Sequence, residues 1–178
     1  MDEALQKKIR SQTVDYFIKA GIILSEEEKA NKIQIFDYGT GDFYKVGLVI
    51  VNFVNTPRYC GKFLLFFPGQ SAAEHYHPDV DENRGKEETF RVLWGSAYAY
   101  GEGEATENIK AAIPEGMEDS FTVKKETILN PGDQYDVKLH EKHWWQAGPE
   151  GVVVLEVSST SRDLHDVYTD KSLDFKIY

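Results

Sequence analysis

Residues 69–95, GQSAAEHYHPDVDENRGKEETFRVLWG, hold two strand-like runs separated by a charged insertion. In the first run His75 and His77 stand two apart, a spacing that on a strand turns both imidazoles to the same face. Alone, such a pair would suit the solvent face of a strand equally well. The second run opens at Glu88, and Glu88, Phe90, Val92 and Trp94 share parity, so a strand that buries its aromatics also turns the Glu88 carboxylate inward. A carboxylate inside a barrel needs a partner, because an unpaired buried charge is costly. A divalent metal between Glu88 and the histidine pair would meet that need. Glu87 falls on the opposite face.

The same texture of short β-branched and aromatic runs extends in both directions. IQIFDY (33–38), KVGLVIVNFV (45–54), KFLLFF (62–67), TFRVLWGSAYAY (89–100), FTVKKETIL (121–129) and VVVLEVSS (152–159) read as strands. They are bounded by turn residues at TGD (40–42), NTP (55–57), FPGQ (67–70), GEGE (101–104) and NPGD (130–133), a rhythm that predicts an antiparallel sandwich or barrel. Ahead of them, Leu5, Ile9, Tyr16, Phe17 and Ala20 lie on one helical stripe that ends at Gly21. Ser25 and Glu28 form a capping box for a second short helix reaching Asn31. The expected organisation is one mainly β domain over residues 1–178, with a helical arm over residues 1–31 packed on the barrel.

The chain has 178 residues, the usual size of one domain. Its 30 acidic residues against 20 basic ones give a net charge of -10, and five arginines are scattered along it, so nucleic acid and anionic membranes are poor partners. The single cysteine, Cys60, excludes an internal disulfide and a cysteine-based zinc finger, and fits a reducing cytoplasm. The amino terminus lacks the apolar run of a signal peptide, and no stretch reaches the roughly 18 apolar residues of a membrane span. A cytoplasmic location is expected.

The third element of the site lies in NPGDQYDVKLHEKHWWQAG (130–148), where a turn at Pro131, Gly132 and Asp133 precedes a strand with His143 near its far end. Together these segments resemble the two motifs of the cupins, double-stranded β-helix (jelly-roll) barrels. Gly69, His75, His77, Glu88 and Gly95 fill the fixed places of the first motif. The gap between His77 and the carboxylate is longer than usual, and a short-gap rule would select Asp81 or Glu82. Glu88 is preferred for its spacing to Gly95 and the strand behind it. In the second motif Gly132 and His143 match, while Lys138 and His140 replace a proline and a glycine. The resulting ligand set is His75, His77, Glu88 and His143. Three histidines and a carboxylate suit one divalent Mn, Fe, Co, Ni or Zn ion and leave positions open for substrate oxygens. His140 and His165 read as surface residues.

Two further groups bear on chemistry. Lys86 precedes Glu88 by two and shares its face, and Glu156 shares parity with Val152, Val154 and Ser158 in a run too apolar on both sides to be comfortably exposed. The alternative for each is a solvated charge. With His75-Tyr76-His77, the run His143 to Gly148, Glu156-Val157-Ser158, Ser161-Arg162-Asp163 and Tyr168-Thr169-Asp170, this chain is similar to the D-lyxose isomerase family over roughly residues 60–172. That resemblance implies an aldose-ketose isomerase acting on D-lyxose and D-xylulose, often also D-mannose and D-fructose, with manganese and as a homodimer. An open-chain aldose presents neighbouring oxygens at C1 and C2 that a metal can chelate, stabilising an enediolate. Glu156 is then the candidate base, and Lys86 the partner on the oxygens. Asp163 and Arg162 would orient hydroxyls, and Trp145 or Trp144, with Tyr98 or Tyr100, would offer apolar faces to the sugar. Competing readings are a cupin phosphosugar isomerase, a cupin dioxygenase and a non-catalytic sugar-binding cupin.

Overall fold

A computed structural model describes residues 1–174 and 177–178. Helix α1 (Glu3–Lys19) starts at Asp2, whose side chain accepts the Leu5 amide, and ends before Gly21, which takes the left-handed φ of 76° expected after a helix. Helix α2 (Glu26–Asn31) has the reciprocal Ser25–Glu28 capping box. Ile9 and Phe17 on α1 are fully buried, and Leu5, Tyr16 and Ala20 pack beside them on the outer face of the sheet. Through this stripe α1 rests on the sheet.

Nine strands follow among the described residues: β1 (Ile33–Phe36), β2 (Leu48–Asn55), β3 (Cys60–Phe66), β4 (Ser71–Tyr76), β5 (Glu88–Gly101), β6 (Lys125–Leu129), β7 (Gln134–Val137), β8 (His143–Ser158) and β9 (Val167–Tyr168). All pairings between them are antiparallel. The order β1-β2-β3-β8-β4-β9, with β5 joining β6, β7 and β8, curls the sheet into the jelly-roll barrel of a cupin. Alternation divides each strand. On β3, Leu64 and Phe66 face the barrel interior while Phe63 and Leu65 face α1, and on β8 Val152 and Val154 face inward while Val153 faces outward.

Strand β8 runs through the whole site. Its first part, from His143, pairs with β4 and the later half of β5, and its second part, from Val152, pairs with β3 and the earlier half of β5. Between them the register against β5 passes from Ala97↔Ala147 to Gly95↔Val152, so residues 148–151 are displaced from the ladder. Gly95 sits at this point with φ 76°, and a side chain there would collide with the Gly151 carbonyl. An earlier irregularity, between Val92 and Trp94, reverses the facing of β5. Glu88, Phe90 and Val92 point inward as their parity predicts, but Trp94 joins the outer cluster beside α1.

Two strand expectations are corrected. Of 121–129 only Lys125–Leu129 is strand, because Glu74 on β4 draws the Thr122 and Val123 amides and the Thr122 hydroxyl to its carboxylate. His143 does not end the strand that follows the turn at 130–133; it opens β8, after a second turn at 138–142. In that turn His140 adopts the left-handed φ of 61° at the place where the cupin motif has glycine.

Candidate metal centre and active site

His75 is the penultimate residue of β4, His77 follows just beyond its end, Glu88 opens β5 and His143 opens β8, so residues from three strands converge. The ligating nitrogens of the three histidines fall within 4.8 Å of one another, close to the spread that a shared ion imposes. Glu88 Oε2 lies 3.1 Å from His77 Nε2 and 3.4 Å from His143 Nε2. Asp81 and Glu82, the short-gap alternatives, are exposed on the insertion, as is Glu87.

Each histidine is fixed from behind. Nδ1 of His75 meets the Ala73 carbonyl at 2.9 Å, that of His143 meets the Glu141 carbonyl at 3.0 Å, and that of His77 meets Asp166 Oδ1 at 2.6 Å. Acceptors at all three positions place the proton on Nδ1 and leave each Nε2 lone pair aimed at the centre. His77 Nε2 and Glu88 Oε2 are nevertheless buried without hydrogen-bond partners among the described residues. Two orphaned groups of this kind, ringed by further Nε2 atoms, are what a bound cation would satisfy. The residues present therefore fit a divalent ion.

Beside the ligands lies a network of five charges. Lys86 Nζ reaches Glu88 Oε1 at 2.5 Å, Asp163 Oδ1 at 2.8 Å and Glu156 Oε1 at 3.6 Å. Lys62 Nζ reaches Asp163 Oδ2 at 2.6 Å and Glu156 Oε1 at 3.4 Å. The Ser158 hydroxyl donates to Glu156 Oε1 at 3.1 Å, and the Ser161 hydroxyl to Asp163 Oδ1 at 2.6 Å. Burial works against charge throughout, and the partners decide the outcome. It pushes the Glu156 carboxyl up, with Glu88 and Asp163 adding to the rise and Lys62 and Lys86 only partly offsetting it. For Asp163 the two ammoniums prevail over burial and hold the carboxyl far below the usual carboxylate range. Against the same burial, the surrounding carboxylates keep Lys86 well above the ordinary lysine value.

These charges, with His75 and His143, line a cavity of about 60 Å³, room for an ion and a handful of oxygen atoms. Its other walls are apolar, among them Leu48, Ile50, Leu64, Phe66 and Phe90. Trp145 lines it, and its buried indole N–H has no protein acceptor among the described residues. Trp144 is elsewhere, stacked on Tyr100 at 3.9 Å between ring centres. Tyr98 is corrected for the same reason. Past Gly95, β5 turns Ala97 and Ala99 inward and sends Tyr98 and Tyr100 to a separate cluster around Phe121. Arg162 is also removed from the cavity wall, because it precedes the short 3₁₀ turn Asp163–His165 and faces surface clefts. Asp163 is at the cavity, but both its oxygens are taken by lysines and Ser161, so it organises cations more than it offers itself to a sugar.

Sequence reasoning missed Lys62 and Asp166. Lys62 had a readable signal, since it shares parity with Leu64 and Phe66 in an inward-facing run. Asp166 lies in a loop without periodicity, and only folding brings it behind His77.

A profile of the family described as D-lyxose isomerase matches residues 28–176. A D-lyxose ketol-isomerase of Cohnella laeviribosi is 44% identical over 168 residues, covering 94% of this chain and 92% of that protein. A D-lyxose/D-mannose isomerase of Thermosediminibacter oceani is 46% identical over 164 residues, covering 92% and 90%. Among solved structures, the L-ribose isomerase of Cellulomonas parahominis with L-ribose superposes with a TM-score of 0.81 at 17% identity, over 98% of this chain and 95% of that one, which is a likeness of fold.

Proposed function

The chain belongs to the D-lyxose isomerase family, and from that premise we propose that it interconverts D-lyxose and D-xylulose, with D-mannose and D-fructose as a second pair, by proton transfer between C1 and C2. The observation that carries the mechanism is the asymmetry of Glu156. Lys62, Lys86 and Ser158 all meet it at Oε1, and Glu156 lines the cavity, so we take Oε2 as the oxygen turned to the substrate.

His75, His77, Glu88 and His143 would hold one divalent ion, manganese in our reading, which when bound supplies Lewis-acid polarisation to the oxygens of an open-chain sugar. Glu156 Oε2 accepts the proton leaving C2 and returns it to C1. Glutamate is suited to this because burial has already raised its proton affinity toward that of a useful base. Lys86, charged and buried, donates a hydrogen bond to O1 as negative charge grows there and relays to it the proton that O2 gives up. The Trp145 indole N–H is a buried donor for a distal hydroxyl, and the apolar wall around it excludes water from the carbon chain. Both cavity lysines are already paired with carboxylates, which argues against a phosphosugar as substrate. A cytoplasmic homodimer completes the proposal; no helix among the described residues is long and apolar enough to cross a membrane.

The test is isomerisation of D-lyxose in deuterated water by the wild type and by Glu156→Gln. We expect solvent deuterium at the receiving carbon of the product. In Glu156→Gln, kcat should fall at least about 10³-fold with metal content retained. A variant with wild-type kcat would remove Glu156 as the base.

A further inference from the structure

Lys62 is 1% exposed, carries a charge, and has no part in the chemistry described above. It lies on β3 directly opposite Glu156 on β8, the two being register partners in the ladder. Its ammonium meets Glu156 Oε1 at 3.4 Å and Asp163 Oδ2 at 2.6 Å, while Asp163 Oδ1 meets Lys86 at 2.8 Å. Lys62 is thus the tie between the base and the carboxylate that holds the second lysine. We propose that Lys62 is a positioning residue, which, anchored on its far side by Asp163, pins Glu156 by Oε1 and so leaves the other oxygen for the cavity.

Three features support this. An ammonium on a flexible stem is costly to bury, and one is kept here in a run whose inward neighbours are Leu64 and Phe66. The surrounding carboxylates more than offset burial, so Lys62 stays charged. Of the two ammoniums at Glu156 Oε1, Lys62 is the nearer, at 3.4 Å against 3.6 Å for Lys86, so its removal loosens the hold on the carboxylate and leaves Lys86 and Ser158 to keep it. A purely structural ion pair needs only one partner, and Lys62 spans two carboxylates, both at the cavity wall.

This role rests on Glu156 being the base, so the experiment is a double-mutant comparison on the metal-loaded enzyme. Lys62→Met keeps the length of the side chain and removes the charge. Steady-state kinetics with D-lyxose should give kcat lowered about 100-fold, KM within about threefold of wild type, and an unchanged metal content. Lys62→Met combined with Glu156→Gln should be within about threefold of Glu156→Gln alone, because Lys62 then has no base left to position. Losses that multiply in the double variant would overturn the role of Lys62 while leaving Glu156 as the base. A raised KM with kcat retained would also overturn it, since Lys62 would then be binding sugar directly. An active Glu156→Gln would overturn both readings. Should Lys62→Met fail to fold, Lys62→Arg keeps the charge but changes its reach. We expect about a tenfold loss in kcat at unchanged KM, and wild-type kcat in that variant would refute the proposal.

Discussion

Asp166 offers the sharpest test of the metal centre, because it stands behind His77 as a hydrogen-bond acceptor, with His75 Nε2 3.8 Å from its other oxygen. Its carboxylate accepts the Nδ1 proton of His77 at 2.6 Å, a charge-assisted hydrogen bond that fixes the ring and raises the basicity of Nε2. Hydrogen bonds to charged groups contribute about 1.5–3 kcal/mol, and each 1.4 kcal/mol is tenfold in affinity, so losing this one should weaken metal binding about 10- to 100-fold. Asp166→Asn keeps an oxygen acceptor and loses the charge, which places it near the lower end. Asp166→Ala leaves a buried donor unmet and belongs near the upper end. The measurement is a competition titration of metal-free protein with manganese against a chromogenic chelator, and kcat at saturating metal should return to within severalfold of wild type. Manganese affinity unchanged in Asp166→Ala would refute the idea that this contact prepares His77 as a ligand.

Glu88→Gln should lose metal at least about 100-fold, whereas Glu82→Gln, on the exposed insertion, should bind as wild type does; the same titration reads both. Asp163 gives a pH dependence. Its pKa is depressed on folding, so its contribution to stability is complete above the unfolded value of about 3.9 and is lost as pH falls below it. Thermal melts of metal-free protein from pH 5 to 2.5 should therefore fall steeply, and Asp163→Asn should melt lower but with a shallower acid slope; equal slopes would contradict the assignment. Gly95→Ala should cost about 2 kcal/mol from the left-handed φ and the contact with the Gly151 carbonyl, lowering the melting temperature by about 4–8 °C. An unchanged melting temperature would show that β5 and β8 can part at that point.

The site was legible in the sequence wherever strand parity applied to a regular ladder. His75 with His77, Glu88 with Phe90, and Glu156 with Val154 face the interior as alternation requires, and Glu88 stood out from Glu82 because a strand follows it. Parity failed where the ladder slips. Trp94 and Tyr98 lie beyond the irregularity at Val92/Trp94, which adds a residue to β5 and reverses its faces, and no periodicity signals where a bulge falls. Arg162 and Asp166 belong to loop and turn, where side-chain direction is set by tertiary contacts. The turn before His143 was harder still, since His140 supplies by a strained backbone what the motif obtains from glycine. Lys62 was readable by the same alternation and was passed over because a lysine at the start of an apolar run looks like its polar boundary.

The displaced residues 148–151 divide β8 into two half-strands that are pinned by different neighbours. The first half carries His143 and the second carries Glu156, so in the proposed mechanism binding of the ion and movement of the proton depend on separately anchored lengths of backbone. A residue inserted between Val152 and Leu155 would turn Glu156 out of the barrel, since one step of register exchanges the faces. The same insertion at Pro149 or Glu150, both exposed, would enlarge only the excursion and leave each half in frame with its own partners. Evolution thus has a place where this strand can change length without disturbing either pole of the site, and a few residues further on it has none.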